Sequence, residues 1–482
     1  MTIQTPDWVK HAIFYQIFPD RFARTTRTDL PVSMQVPLET WDSPPTMEGY
    51  KGGDLWGVAE KLDYLQSLGV TAVYFTPIFQ SACNHRYHTH DYYQVDPLLG
   101  GNEAFFDLLK AAHDRNMKVV LDGVLNHASR GFFYFNDILE NGEKSPWVDW
   151  FKVEAWPLSA YDGTKPANYE SWWDIRSLPE FNHDNPQARE YLMRVGEYWI
   201  EQGIDGWRLD VPFDVKAEGF WAEFRSRIKA INPEAYLVGE VWTDASEWLQ
   251  GDQFDGVMNY LFTGPAIAFA AQDGVDRSLV EKVDYHPYPA LDAKAYSEKV
   301  DALMNLYDWE IQQTQLNLLS SHDVARVLSV VNEDISSLEL ATLLLMTFPG
   351  APSIFYGDEV GLPGKLDPDS RRTFPKKENW NQPILKLHKD LISLRAAHPA
   401  LRTGKYQTLA AEELCYVIAR LLDKEMIVVA MNAGKAAVQV RLADMPVESG
   451  EVLYGAGKVQ WLGDRTAMLE IPARAGMILG NA

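Results

Sequence analysis

Residues 102–125, NEAFFDLLKAAHDRNMKVVLDGVL, place apolar residues at helical spacing and then, two residues later, open a β-branched apolar run. The same alternation recurs up to about residue 398. Apolar runs stand at 13–18 (IFYQIF), 70–75 (VTAVYF), 118–125 (KVVLDGVL), 204–209 (IDGWRL), 236–241 (YLVGEV), 256–260 (GVMNY), 315–319 (QLNLL) and 351–356 (APSIFY). Between them lie amphipathic helical patterns at 58–68, 102–115, 186–202 and 219–230. Eight strand-helix units predict an α/β fold, a parallel sheet closed into a (β/α)₈ TIM barrel, with an open doubly wound sheet as the alternative topology. GVMNY is the weakest of the eight strand signals.

Two regions break the alternation. Residues 128–183 are rich in Trp, Tyr, Phe, Asp, Asn, Gly and Pro and have little periodicity, so they predict a subdomain inserted after strand 3, over the barrel mouth. From 399 to 482, short alternating runs separated by Gly, Asp and Asn predict a C-terminal antiparallel β-sandwich. The expected division is therefore 1–127 with 184–398 as the barrel, 128–183 as the insertion and 399–482 as the sandwich.

Charge and cysteine usage narrow the partners. The 482 residues carry 44 Lys+Arg against 67 Asp+Glu, a net charge of −23. Such a surface repels phosphate backbones and anionic headgroups, which excludes nucleic acid and membrane as partners and favours a small neutral substrate. The 16 Trp, 22 Tyr and 21 Phe exceed ordinary packing needs and supply the flat apolar faces that sugar clefts use, beside their commoner role in the core. Only Cys83 and Cys415 occur, far apart, which fits a reducing compartment. With no leader-like N-terminus and no long apolar stretch, a cytoplasmic protein is expected.

In a barrel, the C-terminal strand ends share one mouth, where active sites form. Asp122, Asn126 and His127 end the third run, Arg208 and Asp210 the fourth, Glu240 the fifth, and His322 with Asp323 the seventh. Seen singly, Arg-x-Asp is usually a structural ion pair and His-Asp a turn element; four such groups at four strand ends point to a site. Several carboxyls in one partly desolvated pocket push their pKa values apart, so that one stays protonated while another stays ionised, which glycoside hydrolysis requires.

DGVLNH (122–127), GWRLD (206–210), GEVW (239–242) and SSHD (320–323) resemble, in order, the four short motifs of the α-amylase family, glycoside hydrolase family 13. YQIFPDRF (15–22), the stretch 51–79, LPEFN (178–182), GDQFDGVMNY (251–260) and GAPSIFYGDEVGL (350–362) add a likeness to its neopullulanase, cyclomaltodextrinase and maltogenic amylase group. The resemblance covers about residues 7–395. It implies Asp210 as nucleophile, Glu240 as general acid and base, and Asp323 as the third carboxylate that grips the sugar hydroxyls. It further implies that Arg208 orients Asp210, that His127 and His322 bond the sugar at the cleaved linkage, that Tyr87 stacks beneath it, and that Asp367 and Arg371 bind a sugar further along the non-reducing side. The reaction implied is retaining double displacement through a glycosyl ester of Asp210.

Departures from the family pattern limit what carries over. Relatives carry an N-terminal β-domain that builds their dimer, whereas this chain begins at the barrel, so monomer and homo-oligomer both stay open. Some bind calcium through an Asn/Asp-rich loop beside a Gly-Gly-Asp segment. Here Gly52, Gly53 and Asp54 stand, but residues 23–28 read ARTTRT, without the oxygen ligands a hard cation wants. No metal and no cofactor are expected. Tyr87-His88-Thr89 stands where relatives have Tyr-Asp-Thr, and VPFD (211–214) where they have Val-Ala-Asn-Glu. The expected function is hydrolysis of α-1,4, and also α-1,6, glucosidic bonds in maltodextrins, cyclodextrins or pullulan-like oligosaccharides, with transglycosylation. The alternatives are an exo-acting α-glucosidase or α-glucosyltransferase of the same family, and, ranked lower, a non-catalytic sugar-binding barrel.

Overall fold

The computed structural model describes residues 3–445 and 447–481. Its eight parallel strands are β1 (Phe14–Ile17), β2 (Ala72–Phe75), β3 (Lys118–Gly123), β4 (Gly206–Leu209), β5 (Tyr236–Gly239), β6 (Gly256–Val257), β7 (Leu316–Leu318) and β8 (Ala351–Phe355). Neighbours pair in sequence order from β1 to β6, and β8 links β1 to β7. Closure comes through Met258, which bridges Leu316 in parallel, while the Asn259 amide donates to the Leu316 carbonyl at 2.8 Å. The sheet is thus a barrel. Helices cover its outer face, so the strands are buried on both sides, which is why they read as continuous apolar runs.

β6 is only two residues long, in keeping with its thin signal. At Gly256 a Cβ would lie 2.3 Å from the Thr314 carbonyl oxygen, so strands β6 and β7 meet there only because glycine has no side chain. Several helices start on side-chain caps: Asn185 accepts from the amides of Gln187 and Ala188 at 3.0 Å before Pro186–Glu201. The segment expected as one helix over 58–68 is two, Leu55–Ala59 and Leu62–Leu68. The Lys61 amide bonds the Val58 carbonyl, three residues back, and this tight turn interrupts the i to i−4 ladder.

After β3 the chain leaves the barrel. It forms the helix Phe133–Asn141 and then irregular backbone tied by isolated bridges, including His127 to Glu180 and Phe151 to Phe181, before helix Pro186–Glu201 returns it. An aromatic cluster of Tyr134, Trp147, Trp150 and Tyr191 holds this excursion against the barrel, with ring centroids 4.4–5.5 Å apart. Beyond residue 404 lie two antiparallel sheets of five and three strands with a separate apolar core of their own. Three of those strands, Lys405–Glu412, Lys458–Gly463 and Ala475–Gly480, lie outside the alternating runs of the sequence, which stand at 414–422, 426–431, 437–442, 452–454 and 467–471. The first two are largely solvent-facing, and the third is apolar on both faces.

Candidate active site

One guanidinium organises the mouth. Arg208, near the end of β4, is fully buried and touches three carboxyls: Asp122 at 2.9 Å, Asp210 at 2.7 Å and Glu240 at 3.0 Å. Asp122 ends among donors, since Tyr74 and Tyr87 each give it a phenolic hydrogen bond of 3.0 Å. Glu240, just past β5, accepts from the Val211 amide at 3.1 Å and the Trp242 indole at 3.2 Å. Val211 reaches it by adopting φ +35, ψ 53, a left-handed conformation costly for a β-branched residue. Trp242 is itself fixed, stacked 3.8 Å from Tyr260 at 11°.

The charge imbalance has a consequence for protons. Burial pushes Asp210 well up, Glu240 and Asp122 push the same way, and Arg208 opposes them. Burial likewise raises Asp122 to about 6 against the pull of Arg208. Asp323 rises to about 7 through burial and the neighbouring Glu240, although 27% of its side chain faces the cleft. Three of these carboxyls share Arg208, and Asp323 has Arg371 at 3.9 Å, so burial and mutual repulsion favour retention of a proton in the cluster while Arg208 keeps a carboxylate available.

The histidines are neutral. Burial lowers His127 to about 3 and His322 well below the ordinary value. The Gln16 amide lies 2.8 Å from His322 Nδ1; donating there, it leaves the hydrogen on Nε2, which faces Tyr87 Oη and, at 3.1 Å, Asp323 Oδ1. Tyr87 is stacked on this ring at 7°. His127 stacks on Trp172, with centroids 5.0 Å apart. Among the buried polar atoms without a hydrogen-bond partner in the described residues are His127 Nε2 and Asp323 Oδ2, as expected of groups that bond a ligand. Arg371 pairs with Asp367 at 3.3 Å and donates to the His322 carbonyl at 3.0 Å.

Of the nine residues singled out in sequence, Asp210, Glu240, Asp323, Tyr87, His127, Asp367 and Arg371 line one cleft of about 1060 Å³. Arg208 and His322 stand buried directly behind it. Sequence reasoning assigned no part to Gln16 or Tyr74, and none to Asp122 beyond its strand end. Their signal is positional only, inward-facing polar residues on barrel strands. Trp172 and Trp173, stacked 4.5 Å apart, form the cleft wall from the excursion, and Trp173 is 73% exposed. At the Gly-Gly-Asp segment, both Asp54 oxygens are engaged by the backbone amides of Thr25 and Gly57 at 2.8 Å.

The family described as alpha amylase, catalytic domain, matches residues 16–390. The chain belongs to the α-amylase family of glycoside hydrolases. A cyclomaltodextrinase from a Bacillus species is 42% identical over 91% of this chain and 75% of its own length. Among solved structures, a debranching enzyme from Nostoc punctiforme is 61% identical with both chains fully covered and a TM-score of 0.94. A cyclic α-maltosyl-(1→6)-maltose hydrolase from Arthrobacter globiformis is 35% identical over 99% of this chain and all of its own, with a TM-score of 0.87. The chain sets its polar cluster at the carboxyl ends of the barrel strands. Among the described residues no helix is long and apolar enough to cross a membrane.

Proposed function

We propose that this α-amylase-family hydrolase cleaves α-1,4 and α-1,6 glucosidic bonds of short linear, branched or cyclic maltodextrins by retaining double displacement. The carrying observation is the Arg208 fork. Adjacent nitrogens of one guanidinium hold Asp210 and Glu240 at 2.7 and 3.0 Å, which draws the two carboxyls into the close pairing a covalent intermediate needs. Asp210 attacks the anomeric carbon while Glu240 protonates the leaving oxygen; Glu240 then deprotonates a water, or a sugar hydroxyl in transglycosylation, that opens the ester. Asp323, His127 and His322 grip hydroxyls of the sugar at the cleaved bond, Tyr87 packs beneath it, and Asp367 with Arg371 holds the next sugar. The names of the Nostoc and Arthrobacter relatives favour acceptance of α-1,6 bonds.

Calcium has no part in this reading, because residues 23–28, ARTTRT, lack the carboxylate and amide oxygens a hard cation wants. Two unpaired cysteines favour a reducing, cytoplasmic setting. Incubation with panose in chelator-treated buffer tests both linkage and metal. Maltose plus glucose reports α-1,6 cleavage, isomaltose plus glucose reports α-1,4 cleavage, and no turnover of panose, maltotriose or β-cyclodextrin contradicts the proposal.

A further inference from the structure

Beside the cleft, outside the carboxyl cluster, three metal-ligating side chains converge. Cys83, His85 and His88 each offer one ligand atom, and these atoms lie within 4.8 Å of one another. Cys83 Sγ is 3.4 Å from His85 Nδ1. In a tetrahedral zinc site, with a metal-sulfur bond of about 2.3 Å and a metal-nitrogen bond of about 2.0 Å, sulfur and nitrogen stand roughly 3.5 Å apart. One edge of such a tetrahedron is therefore already present, and rotation of His88, whose ring sits 5.1 Å from that of His85 at 79°, completes the face.

The backbone that carries these residues is held firmly. They occupy the turn between the paired strands Phe79–Ser81 and Thr89–Val95. Arg86, buried within that turn, pairs with Asp96 at 3.0 Å, and Asn84 donates to the carbonyls of Met47 and Gly49 at 2.9 Å. Ser81 Oγ closes the turn by donating to the His88 carbonyl at 2.8 Å. His85 and His88 line the substrate cleft, so a cation can arrive from solvent.

We propose that Cys83, His85 and His88 form a binding site for a divalent d-block cation, of which zinc is the type, at the rim of the substrate cleft. The sulfur and nitrogen donors select against calcium and magnesium. On binding, Cys83 gives its thiol proton to solvent as the metal-sulfur bond forms, and the metal keeps its oxidation state. The site is wired to catalysis. His85 Nδ1 accepts the Tyr87 amide at 3.2 Å, and Tyr87 in turn bonds Asp122 and His322. A cation that takes the Nδ1 lone pair breaks the first of these bonds and frees Tyr87, so occupancy lowers turnover.

The test uses the full-length, metal-stripped protein and the variant Cys83→Ser, which changes one atom outside the cleft lining. Zinc is titrated against a chromophoric chelator, and cobalt(II) is added separately to read the thiolate-to-metal charge-transfer absorption. The parent is expected to bind one zinc per chain, to show the cobalt-thiolate band and to lose activity as zinc binds. Cys83→Ser, active without zinc, is expected to bind zinc at least about tenfold more weakly and to lack the band. Equal zinc affinity in parent and variant, or no cobalt-thiolate band in the parent, overturns the proposal; the second result is read on the unaltered protein and so does not depend on how the variant folds.

Discussion

Replacing Arg208 by Met removes the only cation that touches Asp122, Asp210 and Glu240 in the described structure, while keeping an unbranched chain of similar length. Stripping one partner from a buried ionic cluster costs about 3–5 kcal/mol. That cost depends on pH. Burial already raises Asp122 and Asp210, and without the guanidinium nothing opposes it. A carboxyl whose folded pKa lies above its unfolded value stabilises the fold below the unfolded pKa, and that contribution is lost as pH rises through the folded one. If the variant's native state holds one extra proton from pH 5 to pH 8, its deficit grows by about 1.4 kcal/mol per unit, or about 4 kcal/mol across the window. Urea unfolding followed by tryptophan fluorescence is expected to show parent and Arg208→Met within about 1 kcal/mol of each other at pH 5 and about 3–5 kcal/mol apart at pH 8. Equal losses at the two pH values, or a loss below about 1 kcal/mol at pH 8, would refute the cluster electrostatics.

Three further substitutions probe single contacts. Glu240→Gln keeps oligosaccharide affinity in calorimetry while kcat on maltotriose falls by roughly 10²–10⁴, because the amide cannot protonate the leaving oxygen. Asp323→Asn abolishes most activity yet raises stability at pH 8 by at least about 1 kcal/mol, with no gain at pH 4, since the raised Asp323 carboxyl costs stability only as pH climbs from about 4 toward about 7; thermal melts at the two pH values check the sign. Gln16→Leu deprives His322 Nδ1 of its donor and releases the tautomer, lowering kcat on the order of tenfold while circular dichroism stays that of the parent.

Eight apolar runs at the right intervals were enough to read a barrel, because strands buried on both faces leave a continuous apolar trace. Even GVMNY betrayed its shortness, since Gly256 and the turn into Asn259 leave room for two strand residues. The helix over 58–68 was legible as helix but not as two, because the turn at Lys61 is set by backbone bonding and not by a Pro or Gly. The four motif ends show where carboxyls gather, but not that a single guanidinium serves three of them; that depends on the side-chain reach of Arg208 across β3 and β5. Val211 in a left-handed conformation carries no sequence signal, and Gln16 reads as an unremarkable polar residue in an apolar strand. Similarly, Cys83 and His88 stand five residues apart with no recognised spacing, and only the turn anchored by Arg86 and Asn84 brings their ligand atoms together.

The central claim is that Asp210 carries the sugar as an ester between two inversions. Proton NMR of maltotriose hydrolysis, recorded in the first minutes before mutarotation, reads it most directly. The account predicts that the newly released reducing end appears as the α-anomer and equilibrates toward β; a product that appears first as the β-anomer would contradict it.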